Sequence, residues 1–381
     1  PDILIVDKEP NGFRGELLPT LDMLRDNGTT RMVLGLRDVL DEPEVLAAEW
    51  ARKNGIAATE TYYDEIWIYG LQSIYDPTAG LPLSDAARAR MHWTGYLRRE
   101  LYSTAEPPEQ PYILITPGGG GDGQAMVDMV ISAYEADPDL APRAVLVYGP
   151  FLSGDTRAEF EQRVDALNGR VTAVGFESQI ETLFAGAAGV VCMGGYNTFC
   201  EVLSFDKRAV IVPRTVPRLE QWIRASRAED LGLVRMLDES RDGHTVEAMI
   251  GAIRQLPDQY LPSEAITGGL LDGLDYVTGR VAASMMKPRR VSSWARNCSR
   301  SAASACRNPS SQSAIADCQG DLPALATNAA MRTRRVAFSG ARRHSAQRMN
   351  RGRRSRKLSS ASVPLCAKVS QTNRKPLRSR T

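Results

Sequence analysis

The sequence has few cysteines, and none of them has a metal-binding spacing. The six cysteines include no Cys-x-x-Cys pair and no cluster with histidine, so neither a zinc site nor a disulfide framework is predicted. A reducing, cytoplasmic compartment is therefore the expectation, with contact at the inner face of a membrane left open. No apolar run approaches the ~20 residues that a membrane-spanning helix needs.

Positive charge is also scarce over most of the chain. Residues 1–287 hold 26 Lys and Arg against 43 Asp and Glu, a net charge of −17. A field of that sign repels phosphate backbones, and so we expect no nucleic-acid partner for this part of the chain.

The remaining residues, 288–381, contain few acids and have no apolar period. They contain 18 Arg and 3 Lys against 2 Asp, a net charge of +19, and such a composition cannot bury enough surface to fold. We therefore expect a disordered basic tail over 287–381. One interpretation is an arm that grips nucleic acid or an anionic membrane. The abrupt change in composition favours the other, an out-of-frame translation of a GC-rich gene.

In the acidic body, short apolar runs alternate with helical patterns. The first region has predicted strands and helices at Ile3–Val6, Gly15–Arg25, Arg31–Leu36, Glu44–Asn54 and Glu65–Tyr69, followed by a mixed segment that ends at Tyr96. Residues 1–104 resemble half of a doubly wound domain. Since the chain begins inside a strand, we expect this N-terminal Rossmann-like domain to be incomplete.

A second alternation follows a proline-rich stretch at residues 105–111, which is typical of a linker. Its predicted strands are Tyr112–Thr116, Ala144–Tyr148, Arg170–Val174, Gly189–Met193 and Arg208–Val212, each followed by a helical pattern. We expect a complete Rossmann-like domain over 112–286. The predicted fold class is α/β, with two Rossmann-like domains.

A glycine-rich loop joins the first strand of this second region to its helix. It contains Gly119, Gly120, Gly121, Asp122 and Gly123. Without Cβ atoms the loop can approach a diphosphate closely, and the helix N-terminus adds partial positive charge. The spacing also fits a dinucleotide loop, but the next strand lacks the acid that would bind the adenosine ribose, and the lysine of a P-loop is absent.

The stretch from Val190 to Gln221 combines a strand, a Gly194-Gly195 turn, a helix, a second strand and a loop. Asn197 or Thr198 is predicted to cap the helix. Glu201 has two interpretations of about equal weight. It either accepts both hydroxyls of a ribose, or completes a capping box with Thr198.

With these segments in view, the chain resembles family-28 glycosyltransferases of the GT-B fold, the group that includes the peptidoglycan N-acetylglucosaminyltransferase, and bacterial glycosyltransferases related to it. The resemblance covers residues 1 to about 286. It depends mainly on Gly195-x-x-Thr198-x-x-Glu201 followed by Pro213 and Gln221. Unlike many family members, the chain has no asparagine-alanine pair after Gln221 and no serine or threonine in the glycine loop.

The resemblance implies a role for each part of this donor site. Glu201 would bind the donor ribose, Gln221 and Glu220 would contact the sugar, and Phe176 would lie beside the uracil. The Gly119–Gly123 loop would face the diphosphate.

The sequence therefore predicts a metal-independent, inverting hexosyltransferase that uses a nucleotide sugar, UDP-linked by resemblance, and a hydroxyl acceptor. A lipid-linked acceptor is one candidate, and no cofactor is expected. Asp7, Arg37 and Asp38 follow strand ends and are the candidates for acceptor-side chemistry. A nucleotide-sugar epimerase or hydrolase of the same fold and an inactive nucleotide-binding remnant are the alternatives.

Overall fold

The described chain has two sheet-containing parts, a first half of residues 1–102 and a second half of residues 107–286. The first half forms a parallel sheet in which the strands follow one another in space as they do in sequence. The computed structural model describes residues 1–102, 107–119, 121–149, 151–243, 245–265 and 268–286, with backbone alone for 285 and 286. In this part the sheet has the order β1-β2-β3-β4. The strands are β1 (Ile3–Asp7), β2 (Arg31–Arg37), β3 (Glu65–Tyr69) and β4 (Met91–Trp93), and the helices are α1 (Leu18–Asn27), α2 (Pro43–Arg52), α3 (Gly55–Tyr62) and α4 (Asp85–Arg88).

Two features of this half differ from the prediction. The helix expected near Glu44–Asn54 ends earlier, because Asn54 takes a left-handed conformation with φ of 55° and a second helix, α3, begins at Gly55. The mixed segment contains the short strand β4, which pairs with β3 between Ile66 and Met91. Three residues are too few to show an alternating pattern in the sequence.

The second half is a six-stranded parallel sheet with the order β10-β9-β8-β5-β6-β7. The strands are β5 (Tyr112–Thr116), β6 (Arg143–Val147), β7 (Val171–Val174), β8 (Gly189–Cys192), β9 (Ala209–Ile211) and β10 (Arg235–Met236). The helices are α5 (Gln124–Ala136), α6 (Gly154–Ala166), α7 (Ile180–Gly186), α8 (Tyr196–Ser204), α9 (Glu220–Asp230), α10 (Glu239–Asp242), α11 (Val246–Gln255) and α12 (Gly273–Met286). The structure confirms the predicted α/β class with two Rossmann-like parallel sheets.

The strand order places the neighbouring strands β5 and β8 at a topological switch point. From β5 the sheet continues to β6 and β7 on one side, and to β8 and then β9 on the other. Ligands of such sheets bind outside the carboxyl ends of the strands at this point. The glycine loop leaves β5 and the Gly194-Gly195 turn leaves β8, so the fold brings these two segments side by side.

Both faces of the second sheet are buried. Helices α5 and α11 cover one face with residues such as Val130 and Ile253, and α8 covers the other with Phe199 and Val202. The last helix of the expected second domain returns to the first sheet, where the Tyr276 ring meets the edge of Trp67 and Arg280 forms an ion pair with Glu65. All described residues belong to one compact unit.

Some predictions lie outside the described residues, namely the tail at 287–381, residues 105 and 106 of the linker, and Gly120. No helix in the described part of the chain is long and apolar enough to cross a membrane.

Candidate functional site

A cavity of about 280 Å³ lies where the carboxyl ends of the two sheets meet. Lys8 and Arg37, at the ends of β1 and β2, line it from the first half. The second half supplies the glycine loop, the N-terminus of α8, and the loop that leads into α9. The cavity therefore collects residues that are far apart in the sequence.

The N-terminus of α8 opens directly onto this cavity. Gly195 is the N-cap residue, and the first helical hydrogen bond is donated by Phe199 N–H to the Gly195 carbonyl over 2.8 Å. The amides of Tyr196, Asn197 and Thr198 therefore have no acceptor among the described residues, although all three residues line the cavity. Free first-turn amides and the helix dipole are an established arrangement for binding phosphate.

This geometry overturns two of the capping predictions. Neither Asn197 nor Thr198 is the N-cap residue, and no side chain caps α8. Thr198 lies in the first turn, so it cannot form a capping box with Glu201. The reason lies in the preceding turn. Gly194 has φ of +74°, and a Cβ there would come within 2.6 Å of Ile211, so the helix starts directly after the second glycine.

Glu201 lies deeper along α8 and does not line the cavity. It has no hydrogen-bond partner among the described residues, and burial raises the pKa of its carboxyl to about 7, with the Arg99 charge acting in the opposite direction. Arg99 crosses the same helix, where its guanidinium donates to Asn197 Oδ1 over 2.9 Å. Glu201 is half-buried. A carboxyl that is partly removed from water without a hydrogen-bond partner is costly, and such groups are concentrated at functional sites.

The glycine loop borders the cavity through Gly119 and Asp122. An added Cβ at Gly119 would meet nothing within 4 Å, so the open space beside it belongs to the cavity. Gly121 and Gly123 face protein instead. A Cβ on Gly121 would contact Phe151, and one on Gly123 would collide with Pro117.

Arg214, which follows β9, connects the loop to α9. Its Nε lies 2.5 Å from Asp122 and its Nη2 lies 2.7 Å from Glu220 Oε1. Its backbone N–H donates to Gln221 Oε1 over 3.1 Å. Among the described residues, the buried atoms Arg214 Nη1 and Glu220 Oε2 have no hydrogen-bond partner. Arg214 Nε likewise has no hydrogen bond there, only its ion pair with Asp122, so two residues of the cavity wall carry buried polar atoms without a hydrogen-bond partner in the described part of the chain.

The three acceptor-side candidates have different environments. Asp7 is exposed and lies 3.6 Å from Arg37, whose guanidinium also lies over the Tyr196 ring. Asp38 is fully buried, and it accepts hydrogen bonds from Arg224, from the Tyr96 hydroxyl and from Val39 N–H. With its oxygens occupied and no contact with the cavity, Asp38 has no face open to a substrate.

Two further residues complete the comparison with the sequence. Phe176 is 64% exposed on the loop after β7 and does not line the cavity. Gly194 lies in the turn before α8 and is also not among the residues that line the cavity.

Sequence reasoning missed Lys8 and Arg214, and it did not predict the buried ion pair of Arg224. The signal for the first two was present, because each follows the end of a predicted strand as Asp7 and Arg37 do. No local pattern marked Arg224, which lies within a helix.

Comparison with known proteins gives likenesses of structure alone. No family model matches the chain, and no curated protein matches it. The calicheamicin glycosyltransferase CalG4 is similar over 76% of this chain and 75% of its own, with a TM-score of 0.48 and 15% identity. The spinosyn rhamnosyltransferase SpnG is similar over 74% of this chain and 69% of its own, with a TM-score of 0.45 and 14% identity. A Listeria monocytogenes protein assigned as a UDP-N-acetylglucosamine 2-epimerase is similar over 75% of this chain and 74% of its own, with a TM-score of 0.46 and 16% identity.

Proposed function

We propose that the chain is a GT-B glycosyltransferase that moves a hexose from a UDP-linked nucleotide sugar to a hydroxyl acceptor, with inversion and without a metal. One observation carries the proposal. The free first-turn amides of α8 open onto a cavity bordered by the Cβ-free edge of Gly119. That combination suits a diphosphate, because the backbone can approach closely and presents several donors at once.

The remaining groups of the cavity wall suit the sugar. Buried polar atoms without partners are unfavourable in the free protein. Sugar hydroxyls both donate and accept, so one bound hexose would satisfy Arg214 Nη1 and Glu220 Oε2 together. Gln221, which also lines the cavity, would add a further contact.

In the proposed reaction the acceptor oxygen attacks the anomeric carbon while the bond from that carbon to the diphosphate oxygen breaks. The leaving diphosphate keeps the electron pair, and the α8 amides stabilise its growing charge. A base takes the acceptor proton. Asp7 is the proposed base, because Asp38 is saturated by its own hydrogen bonds and Asp7 is exposed beside the cavity residue Arg37.

Glu201 is proposed to accept hydrogen bonds from the two ribose hydroxyls. Loss of the capping-box interpretation supports this role, as does the absence of a hydrogen-bond partner for the carboxyl in the described part of the chain. Two charge-assisted hydrogen bonds would be weakened in Glu201→Gln. At ~1.5–3 kcal/mol each, their loss lowers UDP affinity by about tenfold or more.

The test combines turnover with binding. UDP-hexoses and simple hydroxyl acceptors are incubated with the chain, and the products are identified by mass spectrometry. A new glycoside supports transfer, free hexose indicates a hydrolase, and an isomerised donor indicates an epimerase. UDP and 2′-deoxy-UDP are titrated against wild type, Glu201→Gln and the exposed control Glu247→Gln. Wild type and the control should prefer UDP, and equal discrimination by Glu201→Gln would remove the ribose assignment.

A further inference from the structure

Lys8 has an unusual backbone conformation at the edge of the cavity. It directly follows β1 and has φ of +67°, a left-handed conformation that costs a non-glycine residue about 1 kcal/mol or more. The conformation is maintained by its backbone N–H, which donates to the Gly35 carbonyl over 2.7 Å. Glycine would adopt it without cost, so the lysine side chain is the feature to explain.

The Lys8 ammonium has no hydrogen bond or ion pair with any described residue, whereas the other two described lysines do. Lys53 forms ion pairs with Glu9 and Glu49, and Lys207 donates to two backbone carbonyls. Lys8 nevertheless lines the cavity together with the α8 N-terminus.

The charges around Lys8 increase the cost of leaving it unpaired. Burial lowers the pKa of its ammonium, and the positive charges of Arg218 and Arg37 lower it further. Glu9 and Glu220 act in the opposite direction, but Glu9 is paired with Lys53 and Glu220 with Arg214. A partly desolvated cation beside two other cations is stabilised when an anion enters the cavity.

We infer that Lys8 binds the diphosphate of the nucleotide donor from the first half of the chain, opposite the α8 amides. Donor binding then connects the two halves, and the ammonium stabilises the leaving group as its negative charge grows. This role rests on the proposed function. Because the charge is larger in the transition state than in the bound donor, loss of Lys8 lowers kcat as well as affinity.

The experiment compares Lys8→Met and Lys8→Arg with Arg52→Met, which removes an exposed cation of the same half. UDP, uridine and inorganic pyrophosphate are titrated against each protein by calorimetry. Lys8→Met should lose about tenfold or more in affinity for UDP and pyrophosphate, as expected for one charge-assisted hydrogen bond, and keep its affinity for uridine. Lys8→Arg and Arg52→Met should stay close to wild type. Lys8→Gly keeps the left-handed backbone and serves as the removal variant if Lys8→Met does not fold.

A pH series adds a readout that a purely structural role would not change. Pyrophosphate affinity of wild type should fall as pH rises through the lowered pKa of Lys8, and Lys8→Arg should not show this fall.

Unchanged UDP affinity in folded Lys8→Met, or an equal loss for uridine, overturns the inference. If donors are turned over and Lys8→Met is unaffected, this inference alone fails. If pyrophosphate binding depends on Lys8 but no nucleotide sugar is turned over, the anion site is supported and the proposed function is contradicted. If wild type binds neither UDP nor pyrophosphate, both fail.

Discussion

Asp38 and Arg224 form a two-point ion pair, 186 residues apart in sequence, in which neither side chain is more than 2% exposed. Arg224 Nη2 lies 2.7 Å from Asp38 Oδ1, and Nε lies 2.8 Å from Oδ2. Arg224 also donates to the Gly194 carbonyl over 2.9 Å. The pair thus connects the end of β2 to the turn that precedes α8. Arg224 lines the cavity, whereas Asp38 does not.

The first prediction concerns this pair. Asp38→Ala should lower the free energy of unfolding by about 3–5 kcal/mol, because it leaves the Arg224 charge buried and unpaired. Urea denaturation measures the change. The double variant Asp38→Leu/Arg224→Met removes both charges and should cost less than the sum of the single variants Asp38→Leu and Arg224→Met. A stable Asp38→Ala protein with weakened turnover would return Asp38 to the catalytic candidates.

The second prediction concerns the pH dependence caused by Glu201. Burial raises the pKa of its carboxyl from 4.5 to about 7 in the folded protein, so between these values the folded state holds a proton that the unfolded state has lost. Stability should therefore decrease as pH rises from about 4.5 to 7, by up to about 3 kcal/mol from this group. Glu201→Gln cannot titrate and should lack this part of the decrease. Parallel stability curves for the two proteins from pH 5 to 8 would contradict the assignment.

The third prediction uses three glycines with open space beside them to distinguish an effect on ligand binding from an effect on folding. A Cβ on Gly119, Gly195 or Gly154 meets nothing within 4 Å, yet only the first two line the cavity. Gly119→Val and Gly195→Val should fold and lose about tenfold or more in UDP affinity, because a side chain prevents an amide–phosphate hydrogen bond worth ~1.5–3 kcal/mol. Gly154→Val is the matched control and should bind normally. Calorimetry and thermal melts decide between a lost site and a lost fold.

The fourth prediction concerns a charge network between the halves. Arg218 contacts Asp41 and Glu49, 3.2 and 3.0 Å away. Burial alone would raise the pKa of Glu49, but hydrogen bonds from Arg218 and Lys53 overcome it and hold the pKa at about 2. Stability from this group is therefore present above pH 4.5 and is lost as pH falls towards 2.

Glu49→Gln should accordingly be about 1–2 kcal/mol less stable at pH 7 and should lose less stability on acidification. The exposed control Glu44→Gln should follow the wild-type curve. If Glu49→Gln and wild type lose equal stability between pH 4.5 and 2, the carboxylate does not carry this interaction.

Much of the fold was predictable because each buried strand is an apolar run of a few residues. Tyr112–Thr116 was predicted with the bounds that the structure shows, and Gly189–Met193 was one residue too long. The two-residue strand β10 and the three-residue strand β4 were missed, because such short strands are set by their neighbours in the sheet.

The site was partly predictable for a related reason. Arg37, Gly119 and Gly195 were candidates because they follow predicted strands, and all three line the cavity.

The sequence by itself determined where chain segments end and which ends carry glycine or charge, since these properties depend on local polarity and backbone freedom. Only the tertiary structure decided what each charge does. Asp7, Lys8 and Asp38 all follow strand ends, yet the first is exposed, the second is unpaired in the cavity among the described residues, and the third is buried against Arg224. The physical reason is that burial and pairing depend on partners almost two hundred residues away, which no local pattern encodes.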